Sequence, residues 1–240
     1  MAIIQIGKTE LAVWERWLRS PFYFVKDCIV TVDESRAALG FESIRPFPIS
    51  ERYLRMSWII MDTFPVTFWN KSRRMLYSWL CCVRMLQKAL FMPNTANYVI
   101  CYKFEDADYM LKYRIKTMYE NIPTRKEIML NGQKTIINPR ALLPELKYKE
   151  GLIEFPETGA MIQAVSAGAD QLRSRTASNV FWDEVAKQAR IMETWAAIQP
   201  TIRGGGSVVG VSTPRQNAFK TLFNGIKAAK GKTFGFRMAA

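Results

Sequence analysis

The 240-residue chain contains no histidine. Imidazole is the side chain that titrates near neutral pH and the commonest nitrogen ligand of metals, so serine-triad catalysis and histidine-ligated zinc are excluded. Cysteine is scarce. Cys28, Cys81, Cys82 and Cys101 show no paired-ligand spacing, and Cys81 and Cys82 fall in an apolar helical run, so no structural zinc is expected and the setting reads as reducing and cytosolic. Long apolar runs are also missing: no segment offers the roughly 18 uncharged residues of a membrane span. Charges interrupt the opening stretch, so no signal peptide is expected.

What the chain does have is a core and a surplus of cations. Apolar residues make up 49% and aromatics 12%, enough for a packed interior. Thirty-four Lys and Arg against 21 Asp and Glu leave +13, distributed as +1 over 1–60, +7 over 61–150 and +5 over 151–240. Such a field favours a polyanion, with nucleic acid preferred over an anionic membrane.

Residues 1–45 alternate apolar and charged stretches with a break at Pro21, and read as a helical N-terminal appendage to a domain over 46–240. "RPFPISERYLRMSWIIM" predicts a helix with Ser50 as its N-cap. "FPVTFWN" (64–70) predicts a buried strand and "SWLCCVRMLQKALF" (78–91) a mostly buried helix. "ANYVICYKF" predicts a strand and "EDADYMLKYRIKTMYENI" a helix with acids at its start. "GLIEFPETGAMIQAVSA" predicts two strands turning at Thr158-Gly159. "SNVFWDE" and "SVVGVSTPR" predict strands, "RGGGS" a loop and "NAFKTLFNGIKAAK" a helix. This alternation implies an α/β fold with a mainly parallel sheet, whose ligands sit beyond the strand carboxyl ends.

Three polar motifs fall at such ends. The first, "FWNKSRRMLYSWL", crowds Lys71, Arg73 and Arg74 between a strand and a helix. Phosphate-binding loops need backbone N–H groups, a helix N-terminus, an ammonium and a hydroxyl for magnesium, usually as G-x-x-x-x-G-K-[ST]. With Ser78 at the hydroxyl position, Tyr77 replaces the lysine and Leu76 the second glycine. Leu76 is therefore expected to resist the positive φ that glycine tolerates. The second motif, "NVFWDE", ends a strand in Asp183 and Glu184; the aspartate suits magnesium and the glutamate suits an attacking water. The third, "VVGVSTPR", ends in Ser212 and Thr213.

In this order the motifs resemble those of the large terminase subunits, the ATPases that package DNA into viral capsids; the resemblance spans about 46–235. "KSRRMLYSW" is similar to the family's altered loop, in which the lysine moves to the start. The resemblance implies a P-loop NTPase fold of the ASCE type, with an extra strand between the Walker A and Walker B strands. It assigns Lys71, Ser72, Arg73, Arg74 and Ser78 to the phosphates, Ser78 and Asp183 to Mg²⁺, Glu184 to water activation, and Ser212 or Thr213 to coupling. Arg173 and Arg175, in "QLRSR", stand where the family carries an arginine that reaches a neighbour's nucleotide. Phe47 and Tyr53 stand in its adenine region, without the family's glutamine. ATP and Mg²⁺ are the implied ligands. Double-stranded DNA, a portal protein, the small terminase subunit and further copies in a ring are the implied partners, with no membrane, in the infected host's cytoplasm. No Asp or Glu follows Glu193, so the carboxylate-rich nuclease domain that follows the family's motor is not expected in this chain. A helicase-like P-loop motor and a non-catalytic DNA-binding module with a degenerate loop are the alternatives.

Overall fold

In a computed structural model of the chain, residues 7–33, 36, 38–73, 75–168, 176–215, 217–228 and 233–238 are described. Two helices, α1 (Lys8–Arg19) and α2 (Pro21–Cys28), lead into a short ribbon of β1 (Val30–Val32) and β2 (Ile44–Pro46). Helix α3 (Arg52–Thr63) follows; Glu51, not Ser50, occupies its N-cap, and no side chain caps it. Strand β3 (Val66–Lys71) and helix α4 (Tyr77–Phe91) flank the cationic loop. After β4 (Ala96–Cys101), one continuous helix changes character: α-helical over Phe104–Met110, π-helical over Leu111–Lys116, and α-helical again over Thr117–Glu120. A hairpin of β5 (Lys126–Leu130) and β6 (Gln133–Ile137) stands apart as its own sheet.

The main sheet holds eight strands in the order β12-β3-β11-β10-β4-β9-β8-β7, with β7 (Lys147–Lys149), β8 (Leu152–Phe155), β9 (Ala160–Ser166), β10 (Asn179–Trp182), β11 (Ser207–Ser212) and β12 (Thr233–Met238). From β12 to β9 every pairing is parallel; β8 runs antiparallel to β9, and β7, antiparallel to β8, returns to the direction of the others. Strand β11 thus lies between the strand before the cationic loop and the strand before the acidic pair, as the resemblance implies.

Strands β3, β4, β10 and β11 are almost wholly buried, which explains their unbroken apolar runs: a parallel sheet is covered on both faces. Side chains alternate between the faces. Phe68, Tyr98, Ile100, Val180, Trp182 and Val208 enter one hydrophobic cluster, while Trp69, Val99, Phe181, Val209 and Val211 enter the other. Helices of Ile191–Thr201 and Ala218–Ala228 cover the first face. Helix α4 covers the second with eleven of its fifteen residues buried, as an all-round apolar helix must be. The segment set apart in the sequence as an appendage packs here too: Val13, Trp17, Phe24 and Val25 are fully buried in this cluster, and Phe24 meets the Phe91 ring at 5.0 Å. Burying each such side chain contributes about 1.5–3 kcal/mol.

Gly210 of β11 faces Phe68 of β3 across their pairing, and a Cβ there would sit 2.5 Å from the Phe68 ring. Only glycine leaves room for that ring, which packs edge-on to Trp182 and Trp195.

Candidate functional site

The carboxyl ends of three adjacent strands supply the site. Pairing places Asn70 opposite Ser212 and Gly210 opposite Trp182, so β3, β11 and β10 stop at nearly one level. Lys71 ends β3, Asp183 and Glu184 follow β10, and Thr213 follows β11. A cleft of about 960 Å³ opens there, lined by Lys71, Arg73, Ser78, Asp183 and Glu184 among others.

Two residues 105 positions apart meet directly: the Ser78 hydroxyl donates to Asp183 Oδ1 and Oδ2, at 3.2 and 3.1 Å. Asp183 is 3% exposed. Burial pushes its carboxyl above the ordinary value and the Glu184 charge adds to the rise, while Arg114, Lys71 and the Ser78 hydrogen bond pull it back. A buried carboxylate paired with a hydroxyl is half of a magnesium site. No cluster of three or more acidic, histidine or cysteine residues stands ready for a metal among the described residues. Mg²⁺, which needs only one or two carboxylates when phosphates supply further oxygens, fits this donor set.

Glu184 stands in the left-handed region, φ 46° and ψ 44°, a conformation costing about 1–2 kcal/mol for a residue with a Cβ. Three groups surround its carboxylate: Lys71 Nζ at 3.8 Å, Lys187 Nζ at 3.5 Å and the donating Thr213 hydroxyl at 3.5 Å. Ser212, by contrast, is fully buried; its hydroxyl accepts from Ala186 N–H and donates to the Thr213 carbonyl. Of the two coupling candidates, Thr213 is the one in contact with Glu184.

The loop departs from expectation at two positions. Leu76 takes φ 53° and ψ 14° immediately before α4, the turn that glycine was expected to be needed for. Its side chain packs against the core cluster together with Met75 and Trp79, which offsets the strain. Tyr77, in the slot of the usual lysine, turns inward at 1% exposure: its hydroxyl shares a 2.5 Å hydrogen bond with Ser57, and its ring meets Trp69 at 5.3 Å. Lys71 is 7% exposed and lines the cleft; Arg73 is exposed at its rim. Ser72 is half-buried beside it, and Arg74 lies outside the described residues, as do Arg173 and Arg175.

The two adenine-region residues, Phe47 and Tyr53, are not among those lining this cleft. Phe47 is buried in the core at 3% exposure, and Tyr53 lines a separate pocket with Met56, Ile60 and Trp69. Proline-rich "RPFPIS" brings Phe47 inward, where its backbone N–H bonds the Ile29 carbonyl. The cleft wall on that side is instead the β1–β2 ribbon, with Thr31, Asp33 and Arg45; the Thr31 hydroxyl is buried without a hydrogen-bond partner among the described residues. Sequence reasoning also missed Lys187, whose signal is its spacing of three from Glu184, and Arg114, which carries no local signal.

No protein-family model and no curated protein sequence matches the chain. Solved structures do. The large terminase ATPase domain of Thermus phage P74-26 is 18% identical with a TM-score of 0.50, covering 83% of this chain and 75% of that one. A mutant of the same domain gives 18% and 0.52 over 86% and 85%. The large terminase of bacteriophage HK97 is 12% identical with a TM-score of 0.55, over 90% of this chain and 42% of the other. The chain has the fold of phage large terminase ATPase domains.

Proposed function

We propose that the chain is the ATPase motor domain of a viral large terminase, hydrolysing ATP to drive double-stranded DNA into a procapsid. One observation carries the proposal: Ser78 on Asp183, with Glu184 between Lys71 and Thr213, at the ends of adjacent parallel strands. Lys71, with Ser72, Arg73 and Arg74 around it, binds phosphates, and the N-terminus of α4 adds its dipole. Ser78 and Asp183 would hold Mg²⁺, which would offset the negative charge of the phosphates.

Glu184 accepts the proton of the attacking water, its half-buried carboxylate standing at the cleft between Lys71 and Lys187. Thr213 reports the state of Glu184 to the end of β11. Arg173 or Arg175 of a neighbouring copy offsets the charge on the transferred phosphoryl group, as its fixed charge suits. The nucleotide base faces the β1–β2 ribbon, and the surplus of cations faces DNA. A ring of copies, a portal protein and the small terminase subunit complete the machine in the host cytoplasm; no described helix is long and apolar enough to cross a membrane.

ATPase assays with and without duplex DNA test the proposal. Magnesium-dependent hydrolysis, stimulated by duplex DNA and without strand separation, is expected. Strand separation would point to a helicase-like motor. DNA binding with no Mg-ATP binding by calorimetry would leave a non-catalytic module.

A further inference from the structure

Of the cations that line the cleft, Arg114 belongs to none of the sequence motifs. It comes from the π-helical turn of the helix after β4, where Asp106, Met110 and Arg114, spaced by four, all line the cleft. A π turn shifts the phase of the residues after it, and such turns recur at functional sites. Its guanidinium lies 5.6 Å from the centre of the ring of Trp79, the residue after Ser78. Arg114 therefore lines the cleft next to the start of α4, where Ser78, the neighbour of Trp79, bonds Asp183.

The guanidinium of Arg114 interacts with the Cys82 thiol, yet its Nη1 is buried with no hydrogen-bond acceptor among the described residues. A desolvated N–H without an acceptor is unfavourable, so the guanidinium gains by turning its fork toward an anion in the cleft that it lines. Ser78 and Asp183 fix where the metal belongs, and the metal fixes where the terminal phosphates belong. Cations from the loop before α4 serve the other side of the phosphate chain.

We infer that Arg114 is a phosphate-reading arginine supplied by the same chain, which contacts the terminal phosphate of a nucleoside triphosphate and so distinguishes it from the diphosphate. The inference rests on the nucleotide-hydrolase proposal. Its rival is a plain counter-charge for buried Asp183, which would support triphosphate and diphosphate equally.

Calorimetry on the full chain separates the two, using Mg-ADP and a slowly hydrolysed Mg-ATP analogue with the parent, Arg114→Ala and Arg114→Lys. Thermal unfolding of each variant without nucleotide checks the fold. Arg114→Ala is expected to lose about tenfold or more in triphosphate affinity, the scale of one hydrogen bond to a charged group, with diphosphate affinity within about twofold of the parent. Arg114→Lys, which keeps the charge and loses the fork, is expected to fall between them, so the test survives a poorly folded alanine variant. An unchanged ratio of the two affinities in the folded variants overturns the role of Arg114 alone. A parent that binds neither nucleotide overturns the hydrolase proposal beneath it.

Discussion

Lys71 Nζ stands 3.8 Å from Glu184 Oε1, so the cation proposed for the phosphates and the carboxylate proposed for the water are partners. On the proposed assignment, phosphate oxygens would compete with Glu184 for that ammonium. Lys71→Ala is expected to lower Mg-ATP affinity about tenfold or more, as loss of a charge-assisted bond does. Exposed Arg73→Ala is expected to cost less than about fivefold. Titration of both variants by calorimetry checks this, and the reverse ranking would move the early-lysine assignment to an arginine.

Tyr77 occupies the usual lysine slot yet faces Ser57 and Trp69. Tyr77→Phe is expected to destabilise the fold by about 0.5–1.5 kcal/mol and leave Mg-ATP turnover unchanged. Tyr77→Lys is expected to lower the melting temperature strongly without raising turnover, because it buries an unpaired ammonium. A gain in turnover would mean that this position reaches the phosphates after all.

Asp183 has a raised pKa, caused first by burial. The folded state therefore binds a proton more tightly than the unfolded state, and the ionised carboxylate opposes folding at neutral pH. Asp183→Asn is expected to raise the melting temperature of the metal-free protein, by about 2–4 °C for each kcal/mol recovered. The difference from the parent should grow as pH rises from the ordinary carboxylate value of 3.8 to the raised folded value, level off above it, and vanish in acid. Magnesium-dependent nucleotide binding should be lost in the same variant. Differential scanning calorimetry across pH reads all of this.

Gly210 leaves 2.5 Å between a built Cβ and the Phe68 ring. Gly210→Ala is expected to destabilise by about 1–3 kcal/mol through overpacking, measured by denaturant unfolding. A neutral result would mean that β3 and β11 separate freely, at odds with the fixed spacing of Lys71 and Thr213.

The central strands were legible because a parallel sheet covered on both faces writes itself as short apolar runs, as in Val66–Lys71 and Asn179–Trp182. The acidic pair and the hydroxyls were legible because they end such runs. The β1–β2 ribbon was not: three-residue strands separated by eleven residues depend on pairing that no local pattern encodes. Arg114 was hidden because a π insertion keeps helical composition while shifting the phase, so periodicity gives no warning. Phe47 was ambiguous because an aromatic before a helix suits both a core and a base-stacking role; in the structure it is buried. Leu76 misled in the opposite sense: its packing against the core pays for a turn that local preference disfavours.

The most direct test of the account is the pair of nucleotide affinity and single-turnover rate in Glu184→Gln. This change keeps the size of the side chain and an oxygen for Thr213, and removes the base together with the charge that Lys71 and Lys187 face. Retained Mg-ATP binding with turnover lowered by about 10²-fold or more, the usual scale of general-base help, is the predicted result. Turnover within about tenfold of the parent, with binding intact, would contradict the assignment of Glu184 and the mechanism built on it.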